Sequence, residues 1–573
     1  MALNRKIAFI NLNSNAIDIQ PIPNEWRRKF LGGRGLNAYL AVKQISPGCD
    51  PLAPENAVII GAGLLGGTLI APFECTQIVT KSPLTQLLGR ATLSGFFASE
   101  MRWAGYDHLV VKGRARNPVY IWIHNGNIQI RNARHIWGKG VFESRDLLNK
   151  ELGDENIRTI SIGPAGENRV RYGNITGDRN QISGRTGMGA VLGSKNVKAI
   201  VCRGEMDIQI KHPGAALSYQ KEFLDMALSR RRSLSGLETT AREDESARNI
   251  KLLAESGPRF ENAFYPDHNL VADLGLDPLA TECMVRWAGA LYDKKIITPK
   301  DTGGLQLWPG DPQTLQDMIT QIAVREGFGD ILAQGPVPAA RKIGTGSLNL
   351  FTPPTRLIRM LSEDTFDPVP HAVTPKAHRY SNVAKHHFTT DHKHLPEKDA
   401  ERYGQTGDRT ADLPEACQEQ FTGSAGKILW LELYEMLSQC LGLCVAQIPC
   451  LKADPKDISL FKKMIALNTG LTISEKDLQD AAYRCYAIER LFNLRESAVS
   501  MQKQGREHEL DFPFDLHLPQ KLLNNFDLKK VRRLVNDHYR LNGWDKAAVL
   551  KLKILKELKL SDLWPLVKPK GDR

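Results

Sequence analysis

Gly184-Arg185-Thr186-Gly187-Met188-Gly189-Ala190-Val191-Leu192-Gly193-Ser194-Lys195 leads almost directly into an apolar strand, Lys198–Arg203. Glycines at this density let a backbone approach a ligand closely, and Arg185 and Lys195 add positive charge. A P-loop requires Gly-Lys-Ser or Gly-Lys-Thr, and Gly193-Ser194-Lys195 inverts that order, so a nucleoside triphosphate is not the expected ligand. A second loop of the same kind, Gly32-Gly33-Arg34-Gly35-Leu36, follows a charged helix start at Glu25–Phe30. Arg34 there could pair a phosphate, although a plain tight turn is the commoner meaning. Two basic glycine loops suit a cofactor with two phosphates, and they are expected to face one cleft.

Working outward, the first 205 or so residues read as strand-rich. Residues 6–20 alternate around Asn13-Ser14-Asn15, a hairpin signal. Short apolar runs follow at Val58–Ile60, Gln77–Lys81, His108–Lys112, Val119–His124 and Ile157–Ile162, each bounded by Gly, Pro or Asn. Gly61-Ala62-Gly63-Leu64-Leu65-Gly66 matches the dinucleotide fingerprint. Pro72 interrupts the helix it would need, and no carboxylate ends the next strand. After Pro213 helical spacing takes over, at Gly214–Ser229, Pro312–Glu326, Gly426–Leu441, Ile458–Ala466 and Asp477–Leu494. The expected class is α+β: a β-rich domain over 1–210, then mainly helical domains over 211–355 and 356–573. No internal repeat is visible.

Of the 573 residues, 42% are hydrophobic and 24% charged, which suits packed globular domains. The formal charge of +12 is spread along the chain without an arginine-rich arm. A solvated basic surface or an acidic redox partner fits this better than nucleic acid. The longest apolar stretch, 57–71, is too short and glycine-rich for a membrane span, and no secretory signal begins the chain. Nine scattered cysteines read as reduced thiols in a cytoplasmic protein.

Further motifs give these loops a context. Lys81-Ser82-Pro83-Leu84-Thr85, Ala104-Gly105-Tyr106-Asp107 and Ile162-Gly163-Pro164-Ala165-Gly166-Glu167-Asn168 stand between the two glycine loops. Ile296–Gly304, Arg325-Glu326-Gly327-Phe328-Gly329-Asp330, Glu489–Glu496 and Asn542-Gly543-Trp544-Asp545 follow. In this order the motifs resemble the aldehyde ferredoxin oxidoreductase family along nearly the whole chain, most strongly in residues 1–205.

The resemblance implies a tungsten or molybdenum ion between two pterin dithiolenes, with magnesium bridging the pterin phosphates and a four-iron cluster nearby. It implies a β-rich, pterin-carrying base under two helical domains. Carried over by motif, the cofactor-binding residues are Gly32, Gly33, Arg34, Gly35, Ser82, Thr92, Gly184, Arg185, Gly187, Gly189, Asp277 and Gln439. Asp277 and Gln439 belong to paired motifs, Ala272-Asp273-Leu274-Gly275-Leu276-Asp277 and Gln439-Cys440-Leu441-Gly442-Leu443-Cys444. The family opens both motifs with an aspartate, replaced here by Ala272 and Gln439. Thr92 lies in Arg90–Gly95, where the family carries an asparagine.

Of the cluster's four cysteines only Cys444 survives, and residues 203–282 hold none. One thiolate cannot hold a cubane, so no four-iron cluster is expected. The alternatives are an improvised set of Cys283, Cys440, Cys444 and Cys450, or buried thiols such as a Cys440–Cys444 pair. Phe260-Glu261-Asn262 and Ser381–His387 resemble the stretches that bear the family's proton-handling residues. Glu261 becomes the candidate general base and His387 the second proton carrier, against a plain surface Glu and a solvated His. Six histidines over 371–394 show no repeated ligand spacing.

Three functions stay open. The first is two-electron oxidation of a small aldehyde, or its reverse, with electrons leaving through an acidic electron-transfer protein or redox subunit of a homo- or hetero-oligomer. The second is a non-catalytic partner or assembly subunit. The third is an NAD-linked enzyme built on the Gly61 loop.

Overall fold

A computed structural model describes residues 6–68, 74–178, 181–183, 186–225, 268–307, 312–350, 423–444, 457–504, 537–544 and 550–567. The chain is α+β, with a β-rich N-terminal region followed by helices.

The first half of the N-terminal region runs β1 (Lys6–Asn11), β2 (Ala16–Pro21), α1 (Asn24–Phe30), α2 (Gly33–Gln44), β3 (Val58–Ala62), β4 (Cys75–Lys81), β5 (Leu88–Ser94), α3 (Phe97–Trp103) and β6 (Tyr106–Lys112). The second half runs β7 (Val119–His124), β8 (Asn127–Asn132), α4 (Val141–Leu152), β9 (Arg158–Ser161), α5 (Pro164–Glu167), β10 (Thr176–Gly177), α6 (Met188–Ser194) and β11 (Val197–Arg203).

The two sheets have one wiring. The first is ordered β2-β1-β6-β3-β4-β5, the second β8-β7-β11-β9-β10. In each, an antiparallel hairpin (β1–β2, β7–β8) pairs in parallel with the half's last strand (β6, β11). That strand runs antiparallel to the next (β3, β9), which is antiparallel to its neighbour (β4, β10). Both parallel pairs even carry a register irregularity at their first step. A Thr176–Ile182 bridge stands where β5 stands in the first sheet. The duplication is therefore one of topology, and it escaped the sequence reading because equivalent positions carry different side chains.

Period-2 alternation sends each sheet's faces into separate cores. Ile10, Ile60, Leu109 and Val111 of the first sheet meet Ile121, Ile160, Ile200 and Cys202 of the second, with Met101 of α3 and Val191 of α6. The first sheet's other face, Ile7, Ile59, Val79 and Val110, packs on α2 and on three later helices: α10 (Gly423–Leu441), α11 (Asp457–Thr469) and α12 (Glu475–Gln504). Between the base and these helices come α7 (His268–Asp273), α8 (Pro278–Asp293) and α9 (Pro312–Val324). They close over Ala165, Val170 and Tyr172 in a core of their own.

The Gly61–Gly66 fingerprint does not start a helix. β3 continues through Ala62, and residues 64–67 are turns. The dinucleotide reading fails on that geometry, since no helix N-terminus is available there to receive a pyrophosphate.

Candidate functional site

Each half of the base is gripped by a hook from a later helix. α10 ends and Gly442 turns the chain with φ +90°; after α7, Gly275 does so with φ +72°. Leu443 N donates to Ser438 O, as Leu276 N donates to Val271 O. Gly442 and Gly275 accept through their carbonyls from Cys75 N and Asn174 N at 3.0 and 2.6 Å. Leu65 N reaches Leu441 O, and Ala165 N reaches Leu274 O, both at 3.0 Å. Isolated antiparallel bridges, Glu74–Leu443 and Gly173–Leu276, complete the match. At Gly63 a Cβ would lie inside the Gly442 amide, and at Gly163 inside the Leu274 carbonyl group. Only glycine lets base and hook meet so closely. The paired 439–444 and 272–277 motifs are thus structurally equivalent.

The first half-site is charged and thiol-rich. Arg34, at the start of α2, donates from Nε and Nη2 to both oxygens of Glu489 at 2.8 and 2.9 Å. Its Nη1 donates to Gln439 Oε1 at 3.0 Å. Burial alone would lower the Arg34 pKa, but Glu489 outweighs it and holds the guanidinium charged. Arg90 stands 3.4 Å from Glu489, and its pKa is lowered by burial and by Arg34. Gln439 Nε2 donates to Glu435 at 2.8 Å, and burial raises the Glu435 pKa.

Beside this cluster, Thr92, Gln77 and Cys75 form a row: Thr92 Oγ1 donates to Gln77 Oε1, and Gln77 Nε2 to Cys75 Sγ, both at 3.2 Å. Glu74 is buried and pushed up to about 7 by desolvation, although Ser99 and the Gly67 amide both donate to it.

The second half-site uses carboxylates and amides. Asp277 caps α8, accepting from Ala280 N at 2.7 Å, and Asn174 Nδ2 reaches its other oxygen at 3.4 Å. Asp273 Oδ1 accepts from Phe142 N at the start of α4. Gly187 and Gly189 press on the backbone of Arg171 and Asn174. Asn174 Oδ1 and Thr186 Oγ1 are buried with no hydrogen-bond partner. Such orphaned atoms suit the donor-and-acceptor edge of a pterin, so the second half-site fits one half of a bis-pterin cofactor.

Several sequence candidates prove to be engaged within the protein. Arg34, expected on a phosphate, is held by Glu489 and Gln439. The Ser82 hydroxyl donates to Thr186 O at 2.7 Å and accepts from Leu84 N and Thr85 N, closing the β4–β5 turn. Gly32, Gly33 and Gly35 bring the start of α2 against Gly63, Gln439 and Cys440. Gly184, Arg185, Glu261 and His387 lie outside the described residues, as do Cys450 and the histidines of 371–394.

Cys440 and Cys444 do not act as one pair. Cys440 Sγ abuts Gly35 and is the hydrogen-bond partner of Cys485, whereas Cys444 Sγ meets Ser94 Oγ at 3.4 Å. Cys283 belongs to α8. Among the described residues no group of three or more His, Cys, Asp or Glu side chains is arranged to hold a metal. What surrounds Cys444 there does not fit a cubane, which needs about four ligands. The sequence reading quoted Arg90 and Glu489 only within motifs and did not single out Arg90, Glu435, Glu489 or Cys75 as site residues. A buried Arg–Glu network was not legible because its members lie as many as 455 residues apart.

A β base of two like halves, each clasped by a helix-end hook, defines a class of fold before it defines an activity. Comparison with known proteins gives the family. Residues 7–204 match aldehyde ferredoxin oxidoreductase, N-terminal domain, and residues 267–560 match aldehyde ferredoxin oxidoreductase, domains 2 & 3. The chain belongs to the aldehyde ferredoxin oxidoreductase family.

It is 28% identical to the tungsten-containing aldehyde ferredoxin oxidoreductase of Pyrococcus furiosus, over 97% of this chain and 98% of that protein. It is also 28% identical to an aliphatic sulfonate oxidoreductase, WOR-like subunit, of the same organism, over 60% of this chain and 68% of the relative. The active site complex BamBC of benzoyl coenzyme A reductase shares the fold at TM-score 0.75, with 22% identity and 98% of each chain covered. Among the described residues no helix is long and apolar enough to cross a membrane.

Proposed function

We propose that this chain is an oxidoreductase that binds a bis-pterin tungsten or molybdenum cofactor between its two hooked half-sites and interconverts an aldehyde and its two-electron oxidation product. The observation that carries the reading is the pair of equivalent hooks, one half-site for each pterin. When bound, the metal and its dithiolenes supply the two-electron chemistry. In the second half-site Asn174, Thr186 and Asp277 would hold one pterin through hydrogen bonds. In the first, Thr92 and Gln77 offer the polar edge, while Arg34 and Arg90 set a positive field. Glu261 takes the proton from the attacking water, and His387 carries it onward. Residues 1–210, 211–355 and 356–573 are the three domains, and a cytoplasmic location suits the reduced thiols.

No four-iron cluster is required in this reading. Electrons leave to a docked acidic redox subunit or to a small acceptor. The relatives' names, tungsten-containing and aldehyde, support the metal and the substrate class. A non-catalytic subunit is the second reading, favoured by one observation: Arg34, Gln439 and Ser82 already have protein partners.

The test is metal and pterin analysis of chain produced alongside the cofactor pathway, followed by dye-linked oxidation of an aldehyde panel. About one metal and two pterins per chain with turnover, lost in Glu261→Gln, is expected. Chain that never retains metal or pterin overturns the enzymatic reading in favour of the subunit. Bound metal with full activity in Glu261→Gln removes Glu261 from the mechanism.

A further inference from the structure

Cys75 and Cys444 occupy stations that the base and hook bring together by backbone alone. Cys75 opens β4 and is the cross-strand partner of Ser94, whose hydroxyl meets Cys444 Sγ. Cys75 N donates to Gly442 O, and Glu74 bridges Leu443, so the two cysteines are diagonal neighbours across a short antiparallel contact. The other half-site shows where such side chains go. Asn174 and Asp277 hold the equivalent stations, and their side chains touch at 3.4 Å. One scaffold therefore presents an amide–carboxylate pair in one half and a dithiol in the other. Cys75 is fully buried and Cys444 nearly so.

Diagonal neighbours on antiparallel strands lie roughly 7 Å apart. That is at the limit beyond which a disulfide cannot close without backbone movement. A metal bridging two sulfurs spans more, since each metal–sulfur bond adds about 2.3 Å. With no third His, Cys, Asp or Glu arranged beside the pair among the described residues, a four-coordinate divalent ion lacks its ligands. Soft thiolates with low coordination select a monovalent d10 ion.

We infer that Cys75 and Cys444 form a two-thiolate site for one thiophilic monovalent ion of the copper(I) class. Binding forms two sulfur–metal bonds and breaks two S–H bonds. Two protons leave to solvent or to the carrier that delivered the ion, and no electron is exchanged. Burial raises the Cys75 thiol pKa well above its ordinary value, so that thiol is protonated before the ion arrives and gives up its proton on uptake. Gln77 Nε2, 3.2 Å from Cys75 Sγ, steadies the thiolate once it forms. The inference does not rest on the pterin reading.

The experiment titrates full-length, reduced chain anaerobically with copper(I) delivered from a chromogenic chelator. Wild type is expected to take up one equivalent more than Cys75→Ser or Cys444→Ser, with a sulfur-to-copper charge-transfer band in the near ultraviolet. Cys485→Ser should match wild type. The double variant C75N/C444D copies the second half-site's side chains and should fold, by circular dichroism, without that equivalent. In wild type alone, bound copper should protect the Cys75 and Cys444 peptides from alkylation. Undiminished uptake in C75N/C444D, or protection that falls on other cysteines, overturns the site. So does anaerobic reconstitution with iron and sulfide that yields a stoichiometric four-iron cluster through Cys444.

Discussion

Gln439 and Ala272 stand at the same station of two equivalent hooks, and almost nothing about their surroundings is alike. Around Gln439 lie Arg34, Glu435, Arg90 and Glu489, two cations and two carboxyls, with Arg34 and Glu489 fully buried. Around Ala272 no charge cluster forms: Thr176 Oγ1 donates to the Ala272 carbonyl, and Asp277 and Asp273 each give one oxygen to a helix N-terminus. Yet four backbone bonds that fix the hooks correspond pairwise, and the first hook adds a fifth, Leu64 N to Cys440 O, where Pro164 of the second half has no N–H to give. Position is thus set by main chain and glycine, and chemistry by side chains added on top. The two halves can diverge in charge without losing register.

The largest effect should come from attacking the shared part. Gly63→Ala and Gly163→Ala each force a methyl group into the opposing hook's backbone. Each should cost more than about 4 kcal/mol, the range of severe core lesions, or abolish soluble expression. Soluble yield and urea midpoints measure it. If Gly163→Ala were tolerated and Gly63→Ala were not, the halves would not be equivalent clasps.

Breaking the first half's own chemistry comes next. Glu489→Ala strands Arg34 and Arg90 in a buried site without their shared carboxylate, which should cost about 3–5 kcal/mol. Glu489→Gln keeps an acceptor for one guanidinium and should cost less. A loss below about 1 kcal/mol for Glu489→Ala, by denaturant titration, would mean that the pair is not buried in solution.

Glu74 sharpens the contrast through pH, because its equivalent, Gly173, has nothing to titrate. Burial raises the Glu74 carboxyl from an ordinary 4.5 to about 7. An acid whose folded pKa lies above its unfolded one stabilises fully below the unfolded value. The contribution is lost as pH rises through the folded value. Wild type should therefore lose on the order of 3 kcal/mol between about pH 4.5 and 7.5 relative to Glu74→Gln. Parallel stability curves for the two proteins would show that Glu74 ionises normally.

Much of the base was legible because its strands are short apolar runs with clear punctuation, and the residues 6–20 hairpin, Val119–His124 and Lys198–Arg203 all form. β8 was readable in principle from Asn125-Gly126, whose positive φ values of 44° and 83° make the tight hairpin. β5 alternates buried Ala91 and Leu93 with Thr92 and Ser94, but this short run follows Gly89 and Arg90 and holds only two apolar residues, too few to stand out as a strand. Motif resemblance singled out Arg34, Thr92, Gln439 and Asp277, which the structure places beside the two hooks. It could not show that Arg34 is matched to Glu489, because sequence distance hides ion pairs. Nor could it expose the equivalence of the hooks, which lives in main-chain hydrogen bonds.

The smallest predicted effect separates structure from function at Asp277. This carboxylate caps α8 through Ala280 N, and losing such a cap costs about 1 kcal/mol, within a range of 0.5–2. Asp277→Ala should lower stability by that amount. Asp277→Ser keeps an oxygen for the cap and should restore most of it, but its shorter side chain no longer reaches toward Asn174. If Asp277 serves only the helix, chain carrying Asp277→Ser should hold as much pterin as wild type when made alongside the cofactor pathway. If it also orients the second pterin, Asp277→Ser should fold with a near-normal thermal midpoint and yet release less pterin on denaturation. We expect the second result. Asn174 Oδ1 is buried without a partner beside the Asp277 carboxylate, and a cap alone leaves that atom unsatisfied. Equal pterin in both proteins would confine Asp277 to the scaffold and leave orientation to Asn174 and Thr186.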